Sequence, residues 1–230
     1  MFPLKDDVPS RSFPWITWAL IIANGLAFLH ELNLSDEALQ AFLMKYGMVS
    51  ARLHADPGTA WTILTSMFLH AGWVHILGNM WFLHLFGDNV EDRIGHLKYL
   101  GFYVLCGIVA AFTQYAVDNT SQVPCIGASG AIAGVLGAYL LLFPRAQVLT
   151  LVPIFITVRI VHIPAVVFLG LWFVMQLFEG TLALGAAEAS QGVAFWAHVG
   201  GFCAGMMLTL IVKKRGAAYR AWHADEYRGR

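Results

Sequence analysis

Long apolar stretches alternate with short polar segments along most of the chain. A membrane-spanning helix needs about 20 predominantly apolar residues, and six stretches reach or approach that length. They are Phe13–Leu32, Trp61–Phe86, Leu97–Val117, Gly127–Phe143, Ile163–Phe178 and Val193–Val212. The fourth and fifth are short, which suggests helices that begin below the membrane surface. The pattern predicts an all-α polytopic membrane protein with six transmembrane helices.

The long loop after the first span also carries a helical pattern. Ser35 is placed to cap a helix that Gly47 would end. Its apolar residues, which share one face, are Leu39, Phe42, Leu43 and Tyr46. We expect this amphipathic helix to lie in the membrane interface. A second apolar connection, 146–161, is interrupted by Pro153 and Arg159, so we interpret it as an interfacial segment and not as a seventh span.

Composition and charge agree with a membrane protein. Hydrophobic residues make up 58% of the chain and charged residues only 12%, whereas a soluble domain has roughly 25% charged residues. This shortage of charged residues indicates that the lipid bilayer is a partner. The formal net charge is zero, which gives no attraction to nucleic acid.

The positive charges indicate the orientation of the spans. Of the 14 Lys and Arg residues, only Lys45 and Arg52 fall in segments that lie outside when both termini are cytoplasmic. This positive-inside bias predicts a cytoplasmic leader (1–12), a six-span domain (13–212) and a basic cytoplasmic tail (213–230). It also fits a bacterial inner membrane.

Several polar residues lie within the predicted spans, where such residues are costly and usually functional. The second span contains His70, His75 and Asn79, the fourth opens with Ser129, and the sixth contains His198. His75 and Asn79 are one helical turn apart on the same face. They therefore supply two hydrogen-bond donors that converge on one place.

Ser129 has the surroundings of a nucleophile. At the start of a helix, the unpaired backbone N–H groups and the positive end of the helix dipole can stabilise an oxyanion. A serine also needs a base within hydrogen-bond reach, and His198 is the candidate. Ser129 shares a helix face with the small residues Ala133 and Gly137, and His198 shares one with Gly201 and Gly205. Small residues at this spacing let two membrane helices approach.

Other interpretations of these residues remain open at this point. Gly130–Gly134 and Gly201–Gly205 are also typical of simple helix packing, and a single buried histidine can bind a backbone carbonyl. A metalloprotease is a further alternative. However, His70 and His75 lie roughly 140° apart around a helix, and the chain lacks an H-E-x-x-H motif. We therefore expect neither a metal nor another cofactor.

The ordered set of motifs resembles the rhomboid family of intramembrane serine proteases. The resemblance extends from Trp61 to Gly205. It rests on His70 with the His75–Asn79 segment, on Gly127–Gly130 around the serine, on Ala197–Gly201 around His198, and on the E-x-R-x-G turn at Glu91–Gly95.

The resemblance implies that Ser129 is the nucleophile and His198 the general base, in a dyad without an aspartate. It also implies an acyl-enzyme intermediate and substrates that are single-span or other membrane proteins. The oxyanion would be bound by His75, Asn79 and the Ser129 N–H.

Gly127 would let the substrate backbone approach, and His70 would support the active site. Ala133 stands where the family often has an aromatic residue beside the base, so we expect Phe195, Trp196 or Phe202 to replace it. Thr62 stands where the family often has an arginine.

Two alternatives belong to other functional classes. The first is a non-catalytic rhomboid-like protein that binds membrane clients, and the second is a transporter. The retention of both Ser129 and His198 favours the protease over the first. The near absence of charged residues within the spans argues against the second.

Overall fold

The computed structural model describes residues 1–154, 157–185 and 194–212 and shows a helical bundle with a three-stranded and a two-stranded sheet. In chain order the elements are β1 (Phe2–Asp6), α1 (Trp15–Glu31), α2 (Asp36–Tyr46), β2 (Met48–Val49), α3 (Ser50–Ala55), a 3-10 helix (Pro57–Trp61), α4 (Thr62–Ser66), α5 (Trp73–Ile94), α6 (His96–Val117), β3 (Pro124–Cys125), α7 (Ser129–Leu142), β4 (Gln147–Ile154), β5 (Thr157–Pro164), α8 (Ala165–Gly185) and α9 (Phe195–Val212). The six long helices α1, α5, α6, α7, α8 and α9 each overlap one predicted span.

The boundaries of two spans differ from the prediction. The second was expected to begin at Trp61, but α5 begins at Trp73, because short helices and a bend at Gly72 (φ +154°) precede it. The fifth was expected at 163–178, but α8 begins only after Pro164 and continues to Gly185. Val193, the expected start of the sixth span, lies outside the described residues.

Three helices in the described part of the chain are long and apolar enough to cross a membrane. They are His96–Val117, Ala165–Leu184 and Phe195–Val212. Helix α7 is apolar but has only 14 residues, in agreement with the short fourth span predicted above. The number of six spans therefore remains a prediction.

A small sheet corrects the purely α-helical prediction. The apolar connection at 146–161 falls largely within the antiparallel strands β4 and β5, and β1 from the predicted leader pairs with β4. Every second residue of β4 is buried at its start, including Val148 and Thr150. Such β-branched residues favour strands, and Pro153 would break a helix.

The predicted tail (213–230) lies outside the described residues.

The helix predicted in the first loop is confirmed. Ser35 accepts a hydrogen bond from the N–H of Ala38, and the helix ends before Gly47. Its half-buried side chains are those of Leu39, Phe42, Leu43 and Tyr46, while the rest are exposed.

An arginine from another position anchors this loop. Arg52 of α3 donates hydrogen bonds to the backbone carbonyls of Met44 and Gly47. Thr62 stands where the resemblance led us to expect an arginine.

The E-x-R-x-G turn joins the end of α5 to the beginning of α1. Glu91 is fully buried, and its carboxylate accepts hydrogen bonds from the N–H groups of Ile16 and Thr17 and from the Thr17 hydroxyl. A carboxylate at a helix N-terminus satisfies unpaired N–H groups and complements the helix dipole. Gly95 permits the turn with a φ of +93°.

The buried carboxyl group of Asp6 in β1 should make the stability of the fold depend on pH. Burial raises the pKa of its carboxyl group to about 7, with Asp88 and Asp7 adding to the effect, although the group accepts a hydrogen bond from the Tyr139 hydroxyl. Because this pKa lies above that of the unfolded chain, the folded state retains a proton that the unfolded state loses above about pH 4. Stability contributed by this group is therefore present below about pH 4 and is lost as the pH rises to 7.

We expect the melting temperature in detergent to fall between pH 5 and pH 8, and to fall less in Asp6→Asn. Asp36→Asn, on the exposed face of α2, is the matched control and should retain the wild-type slope. Equal slopes for wild type and Asp6→Asn would contradict the assignment.

Candidate active site

Ser129 and His198 lie within hydrogen-bond distance of each other. Ser129 is the first residue of α7, and His198 lies in the first turn of α9. The Ser129 Oγ is 2.7 Å from the Nε2 of His198. The two side chains are 69 positions apart in the sequence, so only helix packing can bring them together.

Glycines at the contact of α7 with α9 permit this approach. A Cβ atom at Gly201 would lie 2.0 Å from the carbonyl oxygen of Gly130, and one at Gly205 would lie 1.9 Å from that of Gly134. A Cβ at Gly137 would likewise lie 2.2 Å from the Phe202 carbonyl oxygen. Gly137, Gly201 and Gly205 were all predicted for these helix faces. On α7 the close contacts also involve Gly130 and Gly134.

Two side-chain donors face the backbone just before Ser129. A Cβ atom added to Gly127 would lie 2.6 Å from the Nε2 of His75 and 3.7 Å from the Nδ2 of Asn79. Gly127 has a φ of +120°, which residues with a side chain rarely adopt. The missing side chain thus leaves room beside both nitrogen atoms.

Hydrogen bonding indicates that both nitrogen atoms are available as donors. The N–H of Ala71 donates to the Nδ1 of His75, and a neutral imidazole with an acceptor at Nδ1 carries its proton on Nε2. The Nδ2 of Asn79 is buried and has no hydrogen-bond partner among the described residues. The N–H of Ser129 lies in the first turn of α7, where N–H groups have no partner within the helix.

These groups line one cavity of about 720 Å³. Its lining includes Ser129, His198, His75, Asn79 and Gly127, among mostly apolar side chains from α4 to α9. A hydroxyl, an imidazole and convergent donors in an apolar cavity can carry out acyl transfer.

His70 occupies a different position from the other predicted site residues. It is buried and does not line this cavity. Its ring packs edge-on against that of His75 at a centroid distance of 5.0 Å. The backbone N–H of His70 donates a hydrogen bond to the carboxylate of Glu31. His70 can therefore support His75 but does not reach the Ser129 hydroxyl.

Sequence reasoning missed two residues of α8 that contact His198. The ring of Trp172 lies 5.8 Å from the imidazole centroid, and the Oε1 of Gln176 lies 2.6 Å from Nδ1. Trp172 takes the place that we expected Phe195, Trp196 or Phe202 to fill. Neither residue belongs to a recognisable motif. Only their spacing of one helical turn could have suggested that both contact the same side chain.

Comparison with protein-family models matches residues 57–215 to the Rhomboid domain, which is more than half of the chain. The chain is 29% identical over 210 residues to RHOMBOID-like protein 5 of Arabidopsis thaliana, covering 91% of this chain but 62% of that protein. It is 26% identical over 210 residues to YdcA of Bacillus subtilis, covering 91% and 94% of the two chains. It is also 34% identical over 131 residues to Rhomboid protease GluP of Bacillus subtilis, covering 55% of this chain and 24% of that protein.

Proposed function

The chain belongs to the rhomboid family, and we propose that it is an intramembrane serine endopeptidase with Ser129 as nucleophile and His198 as general base. Membership of this family implies an integral membrane protein with proteolytic activity on membrane proteins within the bilayer. One relative, GluP, is named a rhomboid protease, whereas another is named only a RHOMBOID-like protein. The names of relatives therefore do not decide whether this chain is catalytic, and the support comes from its own residues.

The contact between Ser129 and His198 carries the proposal. At 2.7 Å from Oγ, the Nε2 of His198 can accept the hydroxyl proton as Oγ attacks the carbonyl carbon of the substrate. The protonated imidazole then gives this proton to the leaving amine, and an acyl-enzyme remains on Oγ. In the second half of the reaction Nε2 takes a proton from water, and the resulting hydroxide attacks the acyl carbon. The imidazolium then returns the proton to Oγ as the acid product leaves, which regenerates the serine hydroxyl.

The negative charge of the tetrahedral intermediate would be stabilised beside Gly127. The Nε2–H of His75, the Nδ2–H of Asn79 and the N–H of Ser129 supply three donors at this place. Inside a cavity lined mostly by apolar side chains, such donors contribute far more than they would in bulk water. The Nδ2 of Asn79 has no hydrogen-bond partner among the described residues, which supports this role, because a buried donor without a partner is otherwise costly.

The membrane arrangement belongs to the same proposal. We infer six spans, formed by α1, α5, α6, α7, α8 and α9, with both termini in the cytoplasm. The distribution of Lys and Arg residues supports this orientation. Substrates would be single-span or other membrane proteins, cleaved in or near a transmembrane segment.

Cleavage in the presence of chelators tests the reaction class. Purified protein should cleave a single-span model substrate in detergent, and EDTA and o-phenanthroline should leave the rate unchanged within about twofold. A hydroxyl–imidazole pair needs no metal, and no three potential ligand side chains are grouped to hold a metal ion in the described part of the chain. Loss of activity on chelation that zinc restores would contradict the proposal, and a non-catalytic client-binding protein would give no product in any condition.

A further inference from the structure

The imidazole of His198 makes hydrogen bonds on both sides. Its Nε2 faces the hydroxyl of Ser129, and its Nδ1 lies 2.6 Å from the Oε1 of Gln176. Gln176 lies on α8 and is only 7% exposed. Building on the proposed serine protease function, we propose that Gln176 is a positioning residue that holds His198 in the tautomer able to accept the proton of Ser129.

The chemistry of the two groups gives this contact a direction. A neutral imidazole carries one N–H, and a carbonyl oxygen can only accept. With the Oε1 of Gln176 beside it, the proton of His198 therefore lies on Nδ1, and the lone pair of Nε2 points towards Ser129. When Nε2 takes up the serine proton, the same oxygen also stabilises the positive imidazolium.

An amide suits this position better than a carboxylate. An ionised group in an apolar site needs compensating partners, and the cavity lining offers no Lys or Arg among the described residues. The amide oxygen provides the required acceptor without a buried charge. Gln176 thus orients the imidazole, as the third residue beside a nucleophile and its base does, while remaining neutral.

The packing of α8 keeps both contacts in place. Trp172, one turn before Gln176, lies against the His198 ring at an interplanar angle of 37°. Phe173 stacks on Phe202 of α9 at 4.6 Å, and the Nε1 of Trp196 donates to the carbonyl oxygen of Gly180. Helix α8 is therefore fixed to α9 on either side of Gln176, which limits rotation of the imidazole.

A Gln176→Met variant tests this role, because it retains the length of the side chain and removes the acceptor. We expect kcat to fall about tenfold, because the variant loses roughly one hydrogen bond to the charged imidazole of the transition state. KM should change less than about twofold. Gln114→Met is the matched control: it makes the same change on α6, where the Oε1 has no partner within the described residues. Its kcat should match that of the wild type.

A Gln176→Glu variant restores the acceptor and adds a readout that a purely structural role would not move. A carboxylate beside Nδ1 favours the imidazolium, so the acid limb of the kcat–pH profile should shift to higher pH while activity recovers towards the wild type. His75 and Cys125 are the other titratable side chains that line the described cavity, and both are unchanged in these variants. A Gln176→Glu variant with neither near-normal activity nor a shifted profile would overturn the proposal, because even a protonated carboxyl group keeps a carbonyl oxygen that can accept from Nδ1. If Gln176→Met fails to fold, the comparison of Gln176→Glu with the wild type carries the test.

The tautomer can also be observed without any activity, by ¹⁵N NMR of protein labelled at histidine. In the wild type, His198 should have a protonated Nδ1 and an unprotonated Nε2, and Gln176→Met should give a mixture of tautomers. The same tautomer in both proteins would overturn the positioning role even if cleavage is confirmed. Because the measurement needs no substrate, a wild-type protein that fails to cleave would refute the protease function separately.

Discussion

Replacing Ser129 or His198 with alanine should lower the rate of substrate cleavage by at least about 10⁴-fold. Each variant removes one half of the 2.7 Å contact, and a nucleophile and its base act as a unit whose loss is nearly complete with either residue. Both variants should fold normally, since neither change creates a large cavity in the core. The double variant should be no slower than the single variants beyond experimental error.

His84→Ala is the matched control for His198→Ala. His84 is another histidine on a predicted spanning helix, and its ring contacts those of Trp18 and Trp81 and not Ser129. Its cleavage rate should remain within about threefold of the wild type. Near-normal turnover in Ser129→Ala would eliminate the dyad, whereas equal losses in His84→Ala and His198→Ala would indicate a general effect of histidine removal.

The second large effect is expected from Asn79→Ala, which should lower kcat about 10²-fold with little change in KM. An oxyanion donor acts mainly in the transition state, and removing one costs on the order of 3 kcal/mol. The loss should be smaller than in Ser129→Ala, because His75 and the Ser129 N–H still face the oxyanion. The combined His75→Ala/Asn79→Ala variant should lose less than the sum of the two single losses, since the donors share one oxygen.

Asn89→Ala on the same helix separates catalysis from stability. The Nδ2 of Asn89 donates to the carbonyl oxygen of Val8, and the residue is fully buried, so its removal should lower the melting temperature and leave kcat unchanged. The Nδ2 of Asn79 has no such partner among the described residues. Asn79→Ala should therefore lower kcat and leave the melting temperature unchanged. A lower melting temperature with normal kcat in Asn79→Ala would refute the oxyanion role.

Local spacing allowed much of the site to be predicted from the sequence. His75 and Asn79 share a face because four residues make about one helical turn. Gly201 and Gly205 on α9 could be recognised because small residues at this spacing let membrane helices approach. The cap at Ser35 and the stop at Gly47 depend on their immediate neighbours alone. Such features need no knowledge of the rest of the fold.

The features that the sequence did not reveal depend on contacts between distant segments. Gln176 and Trp172 lie on an apolar helix, and their orientation towards His198 depends on how α8 packs against α9. The β4–β5 hairpin was missed because a short apolar run does not distinguish a strand from other buried structure. Its pairing with β1 joins residues about 145 positions apart, which no local pattern encodes.

Direct mapping of a covalent adduct tests the central claim most directly. The purified protein should be incubated with a fluorophosphonate, which reacts with activated serine hydroxyls, and the modified peptide identified by mass spectrometry. We predict one adduct, on Ser129, which appears in parallel with the loss of cleavage and is absent from His198→Ala. A protein that cleaves its substrate while Ser129 remains unmodified, or that loses activity through an adduct elsewhere, would contradict the account.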